Sequence, residues 1–177
     1  MDFETRKNVT EAQYINMIKF KTAVLLGFSL ELGAILAEAS LEDRKALRDF
    51  GTNIGIGFQL KDDLLDAYGD PKKFGKQVGG DIIANKKTYL LIKAIEKAKG
   101  KTRKELIYWL QTKKFNKQEK VKAVRSIFDS LDIENQAEKK INQFFAKGFK
   151  DLEKVSANNN AKAILIRLTW NLINRQS

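Results

Sequence analysis

Cysteine and histidine are both missing from the 177 residues, and proline occurs once. Without cysteine there is no disulfide, no thiolate zinc site and no thiol nucleophile; without histidine there is no imidazole ligand and no histidine general base. Any chemistry must therefore run on carboxylates, amines, amides and hydroxyls, which points toward oxygen-ligated metals and phosphate-bearing substrates. Long hydrophobic runs are also missing: no window reaches the roughly 18 uninterrupted apolar residues of a membrane span. The opening MDFETRKNVT has neither the basic flank nor the apolar core of a signal peptide, so no membrane span and a cytoplasmic location are expected. Strict apolar–polar alternation is absent too, which argues against strands.

What is present is helical. Apolar residues recur at spacings of three and four, and a hydrophobic content of 43% is enough for one good core, so residues 1–177 are expected to form an all-α helical bundle belonging to a single domain. Three helix starts have the spacing of an N-cap and its reciprocal third residue: Thr10 with Gln13, Thr102 with Glu105, and Asn116 with Glu119. Helices are expected near 11–40, 42–69, 81–99, 103–114, 117–130, 134–153 and 161–174, with SANNNA at 156–161 as the turn before the last. In that last helix Ile164, Leu165, Leu168 and Leu172 are expected to face inward. The net charge of +11 invites a nucleic-acid reading. The positive residues, however, recur through KGKTRKELIYWLQTKKFNKQEKVKAVR with acids interleaved, the pattern of solvated helix faces rather than a basic groove, and no nucleic-acid partner is expected.

The stretch GFQLKDDLLDAYGDP, residues 57–71, breaks two local rules. At about 3.6 residues per turn, Asp62, Asp63 and Asp66 crowd one helix face, where like charges repel. They also lie in the last turns before a Gly-Asp-Pro stop, where the helix dipole favours cations. The remedy for clustered carboxylates is a hard divalent cation such as Mg2+, which keeps several waters and shares itself with phosphate oxygens; the plain alternative is a solvated acidic helix end. Gln59 lies on the same face. A second anomaly is Lys21, with Thr22 beside it, in the middle of an apolar stripe running Tyr14, Met17, Ile18, Leu25, Phe28, Leu32, Ile35, Leu36. An ammonium there either snorkels to a surface or faces a cavity that holds an anion. The third feature is a loop of lysines and glycines, GDPKKFGKQVGGD, with Lys72, Lys73 and Lys76, followed by Lys86 and Lys87 near the next helix. Such a loop is either mobile surface or the phosphate-binding half of a metal site.

The segment FQLKDDLLDAYGDPKKFGKQVGGDIIANKKTYLL closely resembles the second aspartate-rich region of the trans-isoprenyl diphosphate synthases, the polyprenyl synthetase family. The likeness includes the F-Q before D-D-x-x-D, the G-D-P turn, the G-K after it, and the D-x-x-x-N-K of the next helix. VTEAQYINMIKFKTAVLL resembles the family's K-T helix, and INRQS its C-terminal tail. The resemblance implies an isoprenoid synthase fold and condensation of an allylic diphosphate with isopentenyl diphosphate through a Mg2+-assisted allylic cation. It implies that Asp62 binds Mg2+ directly and that Asp63 and Asp66 help through water or hydrogen bonds. It further implies that Lys21 and Lys76 contact the allylic diphosphate, that Thr22 and Gln59 lie near the carbon where positive charge develops, and that Lys86 is a partner of phosphate or carboxylate.

The family pattern also contains a first D-D-x-x-D and a G-K-x-x-R segment, neither of which occurs in these residues. The chain is therefore expected to be the C-terminal portion of such a domain, inactive by itself. An apolar stripe including Met17 and Leu25 should then be exposed unless copies associate, so a homo-oligomer, a dimer, is expected. The alternative is a non-catalytic helical partner or regulatory subunit of another synthase.

Overall fold

The computed structural model describes residues 8–69 and 78–174, and among these every regular element is helical. In chain order they are α1 (Glu11–Ile18), a π-helical turn (Lys19–Ala23), α2 (Val24–Leu36), α3 (Leu41–Tyr68), α4 (Gly80–Ile83), α5 (Tyr89–Lys97), α6 (Gly100–Gln111), α7 (Lys117–Ser130), α8 (Ile133–Glu153) and α9 (Asn159–Ile173). No helix among the described residues is long and apolar enough to cross a membrane. The described residues divide into two compact units, one holding Tyr14 and Asp62–Glu138, the other Ile15–Lys61 and the residues from Lys139 to 174.

Two of the three expected caps are present. The Thr10 amide donates to Gln13 Oε1 at 3.0 Å while the Gln13 amide donates to Thr10 Oγ1 at 3.3 Å, a reciprocal capping box that starts α1. Asn116 Oδ1 accepts from the amides of Gln118 at 2.9 Å and Glu119 at 3.2 Å and starts α7. The third is wrong: α6 begins at Gly100, so Thr102 lies inside the helix instead of capping it. The single helix expected over 81–99 is divided. Asn85 adopts a left-handed backbone (φ 53°), which ends α4, and the Thr88 hydroxyl then accepts from the Leu91 amide to start α5.

In the second unit α2 packs on α3 through small side chains. A Cβ on Gly27 would lie 2.4 Å from Thr52 Oγ1, and one on Gly55 would lie 2.7 Å from Ala23 Cα, so the two backbones meet where only glycine fits. The inner face is therefore Ala23, Gly27, Leu30 and Ala34, and from Leu25 on the apolar stripe points outward, as expected for Leu25: Leu25 and Leu36 are 70% and 79% exposed. Hydrophobicity alone selects the larger side chains for the core; here close approach selects the smaller ones. The π turn, in which the Val24 amide donates back to Lys19 O, adds a residue to the winding and shifts the register of everything after it. Tyr14 and Ile18, before that turn, are buried as expected. In α9 the buried residue is Thr169, whose hydroxyl donates to Leu165 O at 2.8 Å; Ile164 and Leu168, expected inside, are exposed. Asp151, buried beside the α3 side chain Asn53, accepts its amide at 2.8 Å and holds α8 on α3.

The first unit has a separate core made of Leu64, Leu65, Ile82, Leu90, Leu91, Leu106, Val124, Ile127 and Phe128. Leu64 and Leu65 bring into it the C-terminal end of α3, where the aspartates lie.

Candidate functional site

Helix α3 delivers Asp62, Asp63 and Asp66 to three different settings. Asp63 is buried, 3% exposed, and its carboxylate accepts the Tyr14 hydroxyl in a very short hydrogen bond and Lys86 Nζ at 3.4 Å. Asp66 is half-buried and accepts the Asp81 amide at 2.8 Å. Asp62 is half-exposed. The three carboxylates therefore do not crowd one open face. Asp62 and Asp66, four apart, keep access to solvent, whereas Asp63 is turned inward against a phenol and an ammonium.

The segment from Val78 to Thr88 is shaped to reach them. Gly79 sits at φ +87° and its amide donates to Asp66 O at 2.6 Å; a Cβ there would come within 2.6 Å of the Val121 side chain, so both conformation and space demand glycine. The next turn, α4, points the Asp81 amide at Asp66. The chain then folds back, with the Lys86 amide donating to Asp81 O at 2.9 Å, and Lys86 Nζ reaches Asp81 Oδ2 at 2.8 Å as well as Asp63. Lys76, with the rest of residues 70–77, lies outside the described residues.

These contacts set the protonation balance. Burial pushes the Asp63 carboxyl up to about 6, against the opposing pull of Lys86 and the Tyr14 hydrogen bond. Burial raises Asp66 as well; the Asp81 amide offsets part of this, and repulsion from Asp81 and Asp62 adds to it. Burial alone would lower Lys86, but the carboxylates of Asp63 and Asp81 outweigh it and hold the ammonium more firmly protonated than usual. Burial and the neighbouring Asp63 likewise raise Tyr14 well above an ordinary phenol, so it remains a donor.

Among the described residues no three acidic side chains converge as a ready-made metal cage. The donor set nonetheless fits a hard cation. Asp62 and Asp66 offer oxygen only, repulsion from Asp62 and Asp81 raises Asp66, and Mg2+ characteristically takes one or two carboxylates while keeping waters for phosphate oxygens.

In the other unit the π turn places Thr22, whose hydroxyl donates to Gln59 Oε1 at 3.3 Å; Lys21 beside it is exposed. The site residues that sequence reasoning missed are Tyr14 and Asp81. A phenol on an apolar helix face needs a partner, and Asp81 is the first residue of the D-x-x-x-N-K pattern; both signals are in the sequence.

The family model described as polyprenyl synthetase matches residues 1–128. A geranylgeranyl diphosphate synthase from Sulfolobus acidocaldarius is 42% identical over 119 residues, covering 67% of this chain and 36% of that protein. A farnesyl diphosphate synthase from Bacillus subtilis is 46% identical over 101 residues, covering 57% and 34%. Among solved structures, a geranylgeranyl pyrophosphate synthase superimposes with a TM-score of 0.90 at 39% identity over 99% of this chain and 55% of that one. A polyprenyl synthase from Caulobacter crescentus, solved with calcium and isoprenyl diphosphate, gives 0.85 at 26% identity over 96% and 51%. The chain thus spans about a third of the length of these curated relatives and about half of the solved chains.

Proposed function

This chain belongs to the polyprenyl synthetase family, and from that premise we propose that it is the C-terminal portion of a trans-prenyltransferase that joins an allylic diphosphate to isopentenyl diphosphate. The observation that carries the reading is the network at the end of α3, where Tyr14, Lys86 and the Asp81 amide hold two of the three motif aspartates while Asp62 and Asp66 keep solvent access. Such an arrangement suits a metal–diphosphate site better than a solvated helix end, which has no need of a buried phenol and a doubly paired lysine.

In the reaction so proposed, the allylic C–O bond breaks, the isopentenyl double bond forms the new C–C bond, and a proton passes to the departing diphosphate. When bound, Mg2+ supplies electrostatic stabilisation to that leaving group. Asp62 and Asp66 are the residues that would hold it. Asp63 works from behind, orienting Lys86, and Lys86 in turn anchors Asp81. Lys21 and Lys76 bind the diphosphate as fixed positive charge, and Thr22 and Gln59 present dipoles toward the carbon that becomes cationic. No protein nucleophile is required, in keeping with the absence of cysteine and histidine.

A second reading, a helical partner or regulator of another synthase, is favoured by the outward apolar face of α2. One experiment separates the two: thermal melts of this chain and its Asp62→Asn variant, with and without Mg2+ plus inorganic diphosphate. Ligand at 100 times Kd adds roughly 2.7 kcal/mol, or about 5–10 °C. A shift that needs both ligands and is lost in the variant supports the prenyltransferase reading. A melt indifferent to them, in both proteins, favours the partner reading. The purified chain alone is expected not to elongate prenyl diphosphates, and detectable elongation would contradict the assignment of its activity to a larger assembly.

A further inference from the structure

Lys120, on α7, is fully buried, yet among the described residues no carboxylate pairs with it. Its ammonium donates to Asn85 Oδ1 at 2.6 Å and to the Ile83 carbonyl at 3.2 Å, and it lies 4.2 Å from the centre of the Phe115 ring. Burial lowers its pKa, as expected for a cation that, among the described residues, meets neutral dipoles and a π face. A buried charge so compensated is a costly way to fill a core, and an uncharged side chain would serve packing alone at least as well.

Its partners account for the expense. Asn85 occupies the left-handed backbone position that ends α4, and its side-chain amide spans two elements: Oδ1 accepts from Lys120, and Nδ2 donates to the Leu110 carbonyl at the end of α6 at 3.0 Å. Ile83 is the last residue of α4. Lys120 therefore ties down both sides of the turn between Asp81 and Lys86, the two residues through which this segment reaches Asp66 and Asp63. With only one turn of helix in α4, backbone hydrogen bonding cannot hold that geometry unaided.

We propose that Lys120 is a positioning residue of the diphosphate site: its buried ammonium pins Asn85 and the α4 carboxyl end, and so fixes the Asp81 amide on Asp66 and the Lys86 ammonium between Asp63 and Asp81. The inference rests on the functional reading above for its consequence, but not for its geometry. Lys120 touches neither metal nor substrate; it acts through the turn.

The test uses the whole chain with Lys120→Met, which keeps the length and packing of the side chain and removes its charge and donors. Two readouts are taken. The first is hydrogen exchange at the Asp81 amide, a first-turn helix N–H with no partner inside its own helix, so that its protection reports the contact with Asp66. The second is calorimetric binding of inorganic diphosphate in saturating Mg2+. The expected result is at least tenfold loss of Asp81 protection and at least tenfold weaker binding. Asn85→Ala should do the same, and the double variant should be no worse than either single one, because both remove one device. Ile133→Val, a buried control away from the turn, should lower the melting temperature while leaving Asp81 protection and affinity unchanged. If Lys120→Met fails to fold, Asn85→Ala alone decides. Unchanged Asp81 protection in a folded variant overturns the proposal, as does loss of protection equal to that in Ile133→Val. Should wild type itself fail to bind diphosphate with Mg2+, the functional reading falls, while the exchange measurement still judges the pin.

Discussion

Tyr14→Phe removes one hydroxyl from the site and leaves the shape almost unchanged. That hydroxyl donates to the buried Asp63 carboxylate, which also accepts from Lys86 Nζ at 3.4 Å. A hydrogen bond to a charged group contributes about 1.5–3 kcal/mol, and a buried acceptor left underserved forfeits most of it. At about 2–4 °C per kcal/mol for a chain of this size, the variant should melt roughly 3–12 °C below wild type at pH 7.5. The deficit must also depend on pH. Asp63 titrates at about 6 in the folded protein against 3.8 for an ordinary aspartate, so its ionisation opposes folding, and stability from this group increases on acidification between those values. The Tyr14 hydrogen bond pulls the folded pKa down; removing it raises that pKa further, so the variant gains more than wild type as the pH falls. The two melting curves should thus draw together as pH is lowered from 7.5 through 6 to about 5. Melting temperatures followed by circular dichroism at half-unit pH intervals would measure this. A deficit that stays constant across that range, or none at pH 7.5, would refute the assignment of Tyr14 as the donor to an ionised Asp63.

Gly55→Ala places a methyl 2.7 Å from Ala23 Cα, so α3 and the π turn leading into α2 must separate; overpacking costs about 1–3 kcal/mol against a helix-propensity gain of about 1 kcal/mol, giving a net loss visible as a lower melting temperature. An unchanged or higher value would mean that the two helices are not in contact there. The outward residues Phe20, Leu25, Phe28 and Leu32 form one apolar face of the helical run leading into and through α2, and the free chain is expected to self-associate through it. Light scattering should give a mass that increases with concentration, an increase that Leu25→Glu reduces; a monodisperse monomer throughout would contradict this.

The sequence made the helices legible because their ends carry local chemistry. Thr10 with Gln13 and Asn116 with Glu119 are recognisable as caps without any tertiary knowledge, and both pairs make their hydrogen bonds. What local chemistry cannot express is the spacing between helices. Gly51 and Gly55 let α3 meet α2 and the π turn before it closely, and that approach, together with the extra residue of the π turn, turns the small side chains of α2 inward and the large ones outward. Likewise Thr102 with Glu105 has the spacing of a cap but lies two residues inside α6, since a helix can begin at a less favourable residue when its buried face, here Leu106, is what the fold rewards.

The site divides in the same way. Carboxylates at three- and four-residue spacing beside a Gly-Asp-Pro stop are a local anomaly, and their place at the end of α3 was readable from that conflict. Their inequality was not. Whether Asp63 or Asp62 faces solvent depends on Tyr14, forty-nine positions away from Asp63, and on a turn closed by Asn85. The two lysines make the point most sharply. Lys21 drew attention because it interrupts an apolar stripe, and it is exposed, as the stripe is from Leu25 on. Lys120 interrupts the buried face of α7 formed with Val124, Ile127 and Phe128, by the same spacing argument, and it is fully enclosed. An ammonium on an apolar face is therefore informative only once that face is known to be covered; where it is, the charge must be held by neighbours, and at Lys120 those neighbours are the backbone and amide that shape the turn carrying Asp81 and Lys86.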